Sequence, residues 1–600
     1  MRIDRQKIEW DAPRNEKEYP DHIELNGKGK SQDFSFSWQG QLWFDGMYKV
    51  DWSMTPVTGK AEIAGMTLHF RMPREIGRYV FKQHYDKSLY KWKNDRIEWR
   101  FDPLKNPYGN LVWLSGIEKG LAWHSRSNAN WLNRPGENNI TLSRNDNEIS
   151  FCAKIISRQA EVTKTLAYTM VFQGTPSRSP LKNWRDHNYG GYRVPTMQNL
   201  QQGGGGDHVW NDYQTPQRWT TPSSHKPRWV NRYLKEQEAR RKNPPTWRTR
   251  SYLPYRGIPY TMPSHLGTNE AEYDYFFRDW VTLPVCIWGY REDGVPHTDY
   301  ACCGSTGITD VLLYNLAELF KLNPEIGGIY NDCAHSRVCE NPRHGCGGID
   351  AFGQKFGSST LLGQREYMMR EYKLIRRYGK IMVNHVPGAD MVPFVHDFSD
   401  HVWPGEEFTN PFTTNPDWFY CESIPLEHWQ SAMNWKIRGV SVILLPEPGR
   451  AASYAPNLKA RKKDFQTNPE WAIRTMTLVL IHDVGISADC IQPRTVDRWW
   501  IIKDQLKLAG AKFHGYWFDD TLKSSQKGIL VSWYELPADA PYRYLIVAGN
   551  FTRNELPAGI GKLPWKFTAV RELWTDRKTR ENELRSMPIP ANHFRLFGIR

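Results

Sequence analysis

The hydrophobic pattern of this chain changes character twice, and those two changes limit the folds open to it. From about residue 20 to 185, short runs such as Phe34–Gln39 and Ala61–Arg71 alternate apolar and polar residues with period two, and turn residues break them. Strands that bury one face alternate in this way, and many of them at close spacing predict an antiparallel β-sandwich over 1–185. From about 280 the pattern becomes short apolar runs separated by helical stretches. Val281–Trp288, Gly327–Asp332, Lys380–His385, Val440–Leu445 and Met476–His482 read as buried strands. Ser305–Phe320, with Leu312, Leu313, Leu316 and Leu319 on one face, reads as a helix, as does Thr360–Tyr378. Alternating units of this kind over 265–510 predict a central (β/α)8 TIM-like barrel. Period two returns in Gly528–Tyr534 and Tyr544–Asn550, which predicts a small C-terminal β domain over 511–600.

Between sandwich and barrel, 186–264 carries Gly203–Gly206, Asn243-Pro-Pro and several Trp residues (Trp210, Trp219, Trp229, Trp247), with Trp184 just before it. Gly and Pro at this density interrupt regular elements. A connector so rich in Trp is expected to pack against the barrel mouth and lend it an aromatic ring.

Composition narrows the partner. The chain has 27 Trp and 29 Tyr. Flat rings with a polar edge suit sugar faces, although many such rings simply fill cores. The net charge of +14 is spread along the chain, and no nucleic-acid motif accompanies it. Its densest stretch, Arg232–Arg250, reads as a solvated helix and loop. Nucleic acid is therefore set aside, and the charge points to an anionic glycan or polysaccharide. No run approaches the ~20 apolar residues of a membrane span. The polar opening Met1-Arg-Ile-Asp-Arg leaves two locations open: secreted or periplasmic with the leader removed, or cytoplasmic.

In a parallel barrel the chemistry sits at the C-terminal strand ends. The polar residues just after the expected strands are Asn331-Asp332, Asn384-His385, Glu406-Glu407 and His482-Asp483. Glycosidic cleavage uses two carboxyls across one cleft, and Asp332 and Glu406 are the pair expected to be catalytic. Glu407 competes for the place of Glu406. Asn331, Asn384, His385, Trp403, Glu407 and Tyr290 are expected to bind substrate. This chemistry needs no cofactor and no catalytic metal.

Cys333, Cys339, His344 and Cys346 lie close in sequence, but their spacing matches no usual zinc motif. A Cys339–Cys346 disulfide, free thiols and a zinc site stay open in that order, and the odd total of nine cysteines leaves at least one unpaired within the chain.

Two segments carry a resemblance: Val112–Ser127, with its Gly-Leu-Ala-Trp run, and Asn341–Gly353. Both resemble segments of large bacterial proteins similar to glycoside hydrolase family 123, which join a β-sandwich, a barrel and a C-terminal β domain. In that family an adjacent Asp-Glu pair at a strand end cleaves a β-N-acetylgalactosaminide with the substrate's own acetamido group assisting. The resemblance aligns Asn331-Asp332 with that pair. It implies an acetamido-holding amide and Asp332 as acid, beside the two-carboxylate mechanism of Asp332 and Glu406. A protein that keeps the scaffold and binds glycans without cleaving them is the alternative.

Overall fold

The computed structural model describes residues 2–4, 8–82, 89–90, 92, 94–104, 111–189, 198–202, 256–258, 260–263, 265–267, 271–292, 295–322, 324, 327–334, 336–385 and 392–600. The packing expected of the connector's Trp210, Trp219, Trp229 and Trp247, and the Arg232–Arg250 stretch, lie outside them.

The N-terminal region forms two antiparallel sheets. One runs in the order Arg2–Ile3, Met66–Pro73, Glu148–Ile156, Ile140–Arg144, Arg96–Trp99, and the larger one centres on Phe34–Trp43, Met47–Pro56, Leu166–Thr175 and Gly120–Ser125. Period two explains the pairing: Ile149, Phe151, Ala153 and Ile155 are buried, while Ser150, Cys152 and Lys154 between them are not. Their apolar faces meet Phe34, Phe36, Met54 and Trp123 from the other sheet in one core. Trp113, Trp123, Trp429 and Trp500 are among the largest fully buried side chains, so part of the aromatic excess serves packing.

Further along the chain lies a six-stranded sheet in the order Tyr260–Thr261, Gly328–Asn331, Ile381–His385, His401–Trp403, Ser441–Leu444, Gly485–Ile486. Every neighbouring pair in it is parallel. Helices Ile308–Leu322 and Leu361–Arg377 flank it, the second packing on the Ile381–His385 strand. Among the described residues this sheet does not close into the expected eight-stranded barrel, because two expected strands are something else. Met476–Ile481 belongs to helix Pro469–Ile481, which starts on an Asn468 side-chain cap with Pro at its first position. A short apolar run buried on all sides has no periodicity by which strand and helix can be told apart. Val281–Trp288 is broken at Pro284 and leaves Val285 45% and Ile287 57% exposed. Its strand begins only at Ile287 and pairs antiparallel with Val295–Ala301, away from the parallel sheet.

The C-terminal region is a six-stranded antiparallel sheet built around Ile529–Glu535, Tyr544–Asn550 and Phe594–Ile599. It shares a core with helix Pro469–Ile481: Leu478 and Val479 pack in one cluster with Leu545, Val547 and Leu596.

Candidate active site

Side chains alternate across a strand, and that alternation sorts the expected residues. Tyr330, Val383, Trp403 and Ile443 lie on one face of the parallel sheet in a common cluster. Asn331 and Asn384 point the other way, towards helix Leu361–Arg377. Asn331 Nδ2 donates to Glu371 at 2.7 Å and to Asn384 Oδ1 at 3.0 Å, and both asparagines are fully buried. Burial pushes the Glu371 carboxyl up to about 7 despite the hydrogen bonds from Asn331 and Tyr367. The two asparagines thus tie sheet to helix and do not reach the face that carries Asp332. The chain bends only after Asn331, at Asp332 and Cys333, and Asn331 itself stays bonded to Glu371.

Asp332 extends the ladder, donating its N–H to Thr261 O at 2.7 Å, and its carboxylate accepts from the Cys333 N–H at 2.8 Å. At the end of the neighbouring strand, His385 Nε2 lies 3.9 Å from Asp332 Oδ1 and 2.8 Å from Glu406 Oε2. Its Nδ1 faces the carbonyl oxygen of Trp403. Both ring nitrogens therefore face acceptors, an arrangement that favours the imidazolium form. Burial alone would lower its pKa, yet Glu406 and Asp332 raise it above the usual histidine value. Arg450, on helix Pro448–Tyr454, binds Glu406 Oε1. Burial would favour the acid form of Glu406, but His385 and Arg450 outweigh it and hold this carboxyl below the usual range.

Gly405 aims Glu406. It sits at φ +140°, and a Cβ there would lie 2.1 Å from the Leu445 carbonyl oxygen, so only glycine lets the loop pass this close to the next strand. Glu407 turns back on the loop and accepts from the Gly405 N–H at 2.7 Å. Of the two adjacent glutamates, Glu406 is the one beside His385. Trp403 is 5% exposed and packs edge-on against Tyr330 at 5.3 Å, as floor and not as an open sugar platform. Tyr290 lies on strand Ile287–Glu292, outside the parallel sheet, and its side chain is outside the described residues.

His482 and Asp483 do not follow a strand. They cap the end of helix Pro469–Ile481 and precede the Gly485–Ile486 strand, at the opposite edge from Asp332. His482 faces Leu478 O at 2.7 Å, and burial lowers its pKa to about 3. Asp483 forms a buried ion pair with Arg185. Both are structural.

Sequence reasoning missed Arg450 and Glu447. Glu447 follows strand Ser441–Leu444 by three residues, so the strand-end rule, applied to that strand, points to it. It is fully buried, its N–H donates to the Tyr420 hydroxyl at 2.9 Å, and its carboxylate is bound by Thr409. Burial pushes it up to about 8, with Glu407 and Glu406 adding to the rise.

Two further features lie apart from these carboxylates. Of the readings left open for Cys339 and Cys346, the disulfide is not formed: none of the nine cysteines is in a disulfide. On the sandwich, an open groove of 540 Å³ is lined by the rings of Trp38, Trp52 and Tyr168 beside Asp51 and Arg126.

No protein-family model matches the sequence, and no curated protein does. Among solved structures the chain is similar to the α-N-acetylgalactosaminidase NagBb of Bifidobacterium bifidum, at 8% identity and TM-score 0.37, over 91% of this chain and 90% of that one. It is also similar to a β-arabinopyranosidase, at 10% identity and TM-score 0.31, over 100% of this chain and 91% of that one. An α-amylase from Lactobacillus plantarum matches at 8% identity and TM-score 0.37, over 69% of this chain and 99% of that one. At this degree of likeness the function must be argued from the side chains themselves.

Proposed function

We propose that this protein is a glycoside hydrolase acting on a glycan or polysaccharide, with Asp332 and Glu406 as its paired carboxylates. The observation that carries the reading is the convergence of Asp332, His385 and Glu406, from three adjacent parallel strands or the residues just after them, on one imidazole. Both carboxylate oxygens lie near the same nitrogen, so their separation cannot exceed the sum of 3.9 Å and 2.8 Å. That admits the roughly 5–5.5 Å spacing of retaining pairs and reaches only the lower edge of the ~6.5–9.5 Å range of inverting ones. Glu406, held ionised by His385 and Arg450, takes the anionic role, attacking or stabilising the oxocarbenium-like centre. Asp332 mediates the proton transfer to the leaving oxygen, with the neighbouring His385 imidazolium as the source of the proton. His385 fixes the spacing of the two and keeps Glu406 charged.

The test is a panel of aryl glycosides and anionic polysaccharides assayed with wild type, Asp332→Asn and Glu406→Gln. Each substitution is expected to lower kcat by about 10²–10⁴-fold, and azide to restore turnover in a small-side-chain variant of Glu406 alone. Full activity in both variants would remove the assignment.

The groove at Trp38 and Trp52 supports a second reading, a glycan-binding protein that cleaves nothing. Glycan binding that depends on Trp38, with no turnover on any substrate of the panel, would favour it. The division at 1–185, 186–264, 265–510 and 511–600, a barrel-like completion of the parallel sheet, kinship with family 123 proteins, an anionic substrate and a secreted or periplasmic location are parts of the same proposal. No helix among the described residues is long and apolar enough to cross a membrane.

A further inference from the structure

Four soft or borderline ligand atoms meet far from one another in sequence. Cys339, His344 and Cys346 lie on the excursion that follows strand Gly328–Asn331, and Cys303 lies in the turn before helix Ile308–Leu322. Their Sγ and imidazole nitrogen atoms all lie within 4.8 Å of one another, and the three cysteines are essentially inaccessible. Cys303 Sγ is 3.7 Å from Cys346 Sγ, and Cys339 Sγ is 3.8 Å from His344 Nε2. A disulfide needs its sulfurs at about 2.05 Å, so Cys303 and Cys346 are not bonded to each other. A tetrahedral zinc with Zn–S near 2.3 Å and Zn–N near 2.0–2.1 Å sets its ligands about 3.5–3.8 Å apart along each edge. The Cys303–Cys346 and Cys339–His344 edges match those values. We infer that Cys303, Cys339, His344 and Cys346 form a closed, structural Cys3His zinc site.

The surrounding backbone is built to hold such ligands. The Asn341 N–H points at Cys339 Sγ at 3.4 Å, and an N–H donor to a thiolate stabilises its charge. The Asn341 side chain caps the following turn, accepting from Arg343 N at 3.0 Å, and also donates to Val281 O at 2.9 Å. Gly345 takes φ +69°, which swings Cys346 back so that its N–H meets Asn341 O at 3.2 Å. At Gly347 a Cβ would lie 2.0 Å from the Glu340 carbonyl oxygen, so the chain crosses itself at a distance only glycine allows. Three thiols and an imidazole select zinc over calcium or magnesium, which take oxygen ligands. With four protein ligands no coordination position is left for substrate. The ion would staple the excursion after Asp332 to the turn that opens the preceding helix Ile308–Leu322, without entering the chemistry.

The spacing from Cys339 to Cys346 hides this site in the sequence, because its fourth ligand is Cys303 and not the nearer Cys333. That supplies a sharp test on the full-length protein. After dialysis against chelator-treated buffer, elemental analysis should find one zinc per chain. Loading with cobalt(II) instead should give thiolate charge-transfer bands and the intense visible bands of a tetrahedral site. Cys303→Ser and Cys346→Ser should lose the metal, whereas Cys333→Ser and Cys152→Ser should retain it. If the first two variants fail to fold, chelator titration of wild type replaces them, and a lowered midpoint of thermal unfolding supports the site. Wild type without retained zinc, an octahedral cobalt spectrum, full metal content in Cys303→Ser, or loss of metal in Cys333→Ser would each overturn the assignment.

Discussion

Glu406 is ionised in surroundings that would otherwise favour its acid form, and Arg450 is one of the two groups responsible. Replacing Arg450 with Leu removes that support while burial remains, so the pKa of Glu406 rises. If Glu406 is the anionic partner, the acidic limb of the kcat/KM profile should move to higher pH in Arg450→Leu, and an unmoved limb would disconnect Glu406 from the rate. Glu447 behaves in the opposite sense. Its folded-state value of about 8 lies above the ordinary 4.5, so between those values the folded protein holds a proton that the unfolded chain has lost. Stability then falls as pH rises through that window. Glu447→Gln keeps the neutral shape and removes the titration. Chemical denaturation from pH 5 to 8 should therefore show a shallower decline for this variant than for wild type.

At the scale of elements, the sequence was readable where periodicity and strand ends agreed. The strands ending at Asn331 and His385, the helix Leu361–Arg377 and the alternating strands of the sandwich all follow from period and turn residues. The strand-end rule likewise brought Asp332, His385 and Glu406 forward. It could not say which neighbour faces which side. That is set by sheet register, and register places Asn331 and Asn384 against Glu371 and away from Asp332. It failed at Met476–Ile481, where an apolar run packed on all sides belongs to a helix, and His482-Asp483 was misplaced with it. Asp483 is the hub of that helix end. Arg185 reaches it at 2.5 Å, Trp435 Nε1 donates to it at 2.8 Å and the Tyr534 hydroxyl at 3.1 Å. Removing one member of a buried pair leaves the other charge uncompensated, at a cost of about 3–5 kcal/mol. Asp483→Ala should lose stability on that scale in urea denaturation. Retained stability would show that the ion pair is not the anchor its geometry suggests.

Across the whole molecule, the sandwich and the parallel sheet are joined by a second buried pair. Asp45, at the turn after strand Phe34–Trp43, accepts from both terminal nitrogens of Arg365 on helix Leu361–Arg377, at 2.7 and 3.0 Å. Gln173 Nε2 also donates to Asp45 at 3.1 Å, and Arg365 donates to Phe394 O at 3.2 Å, with its guanidinium 4.9 Å from the Phe398 ring. The nearby Asp397 carboxyl is raised to about 6, by burial first and by the charge of Asp45 next. A joint made this way is specific, because the cost of desolvating two charges is offset only when both partners are present. Each single change, Asp45→Leu or Arg365→Met, should therefore cost about 3–5 kcal/mol. The double change replaces two charges with apolar bulk of similar shape and should recover most of that loss. Denaturation of the four proteins measures the coupling directly. Additive losses in the double variant would mean that Asp45 and Arg365 hold their own sides separately, and that the sandwich is fixed to the sheet by the apolar contact between them alone.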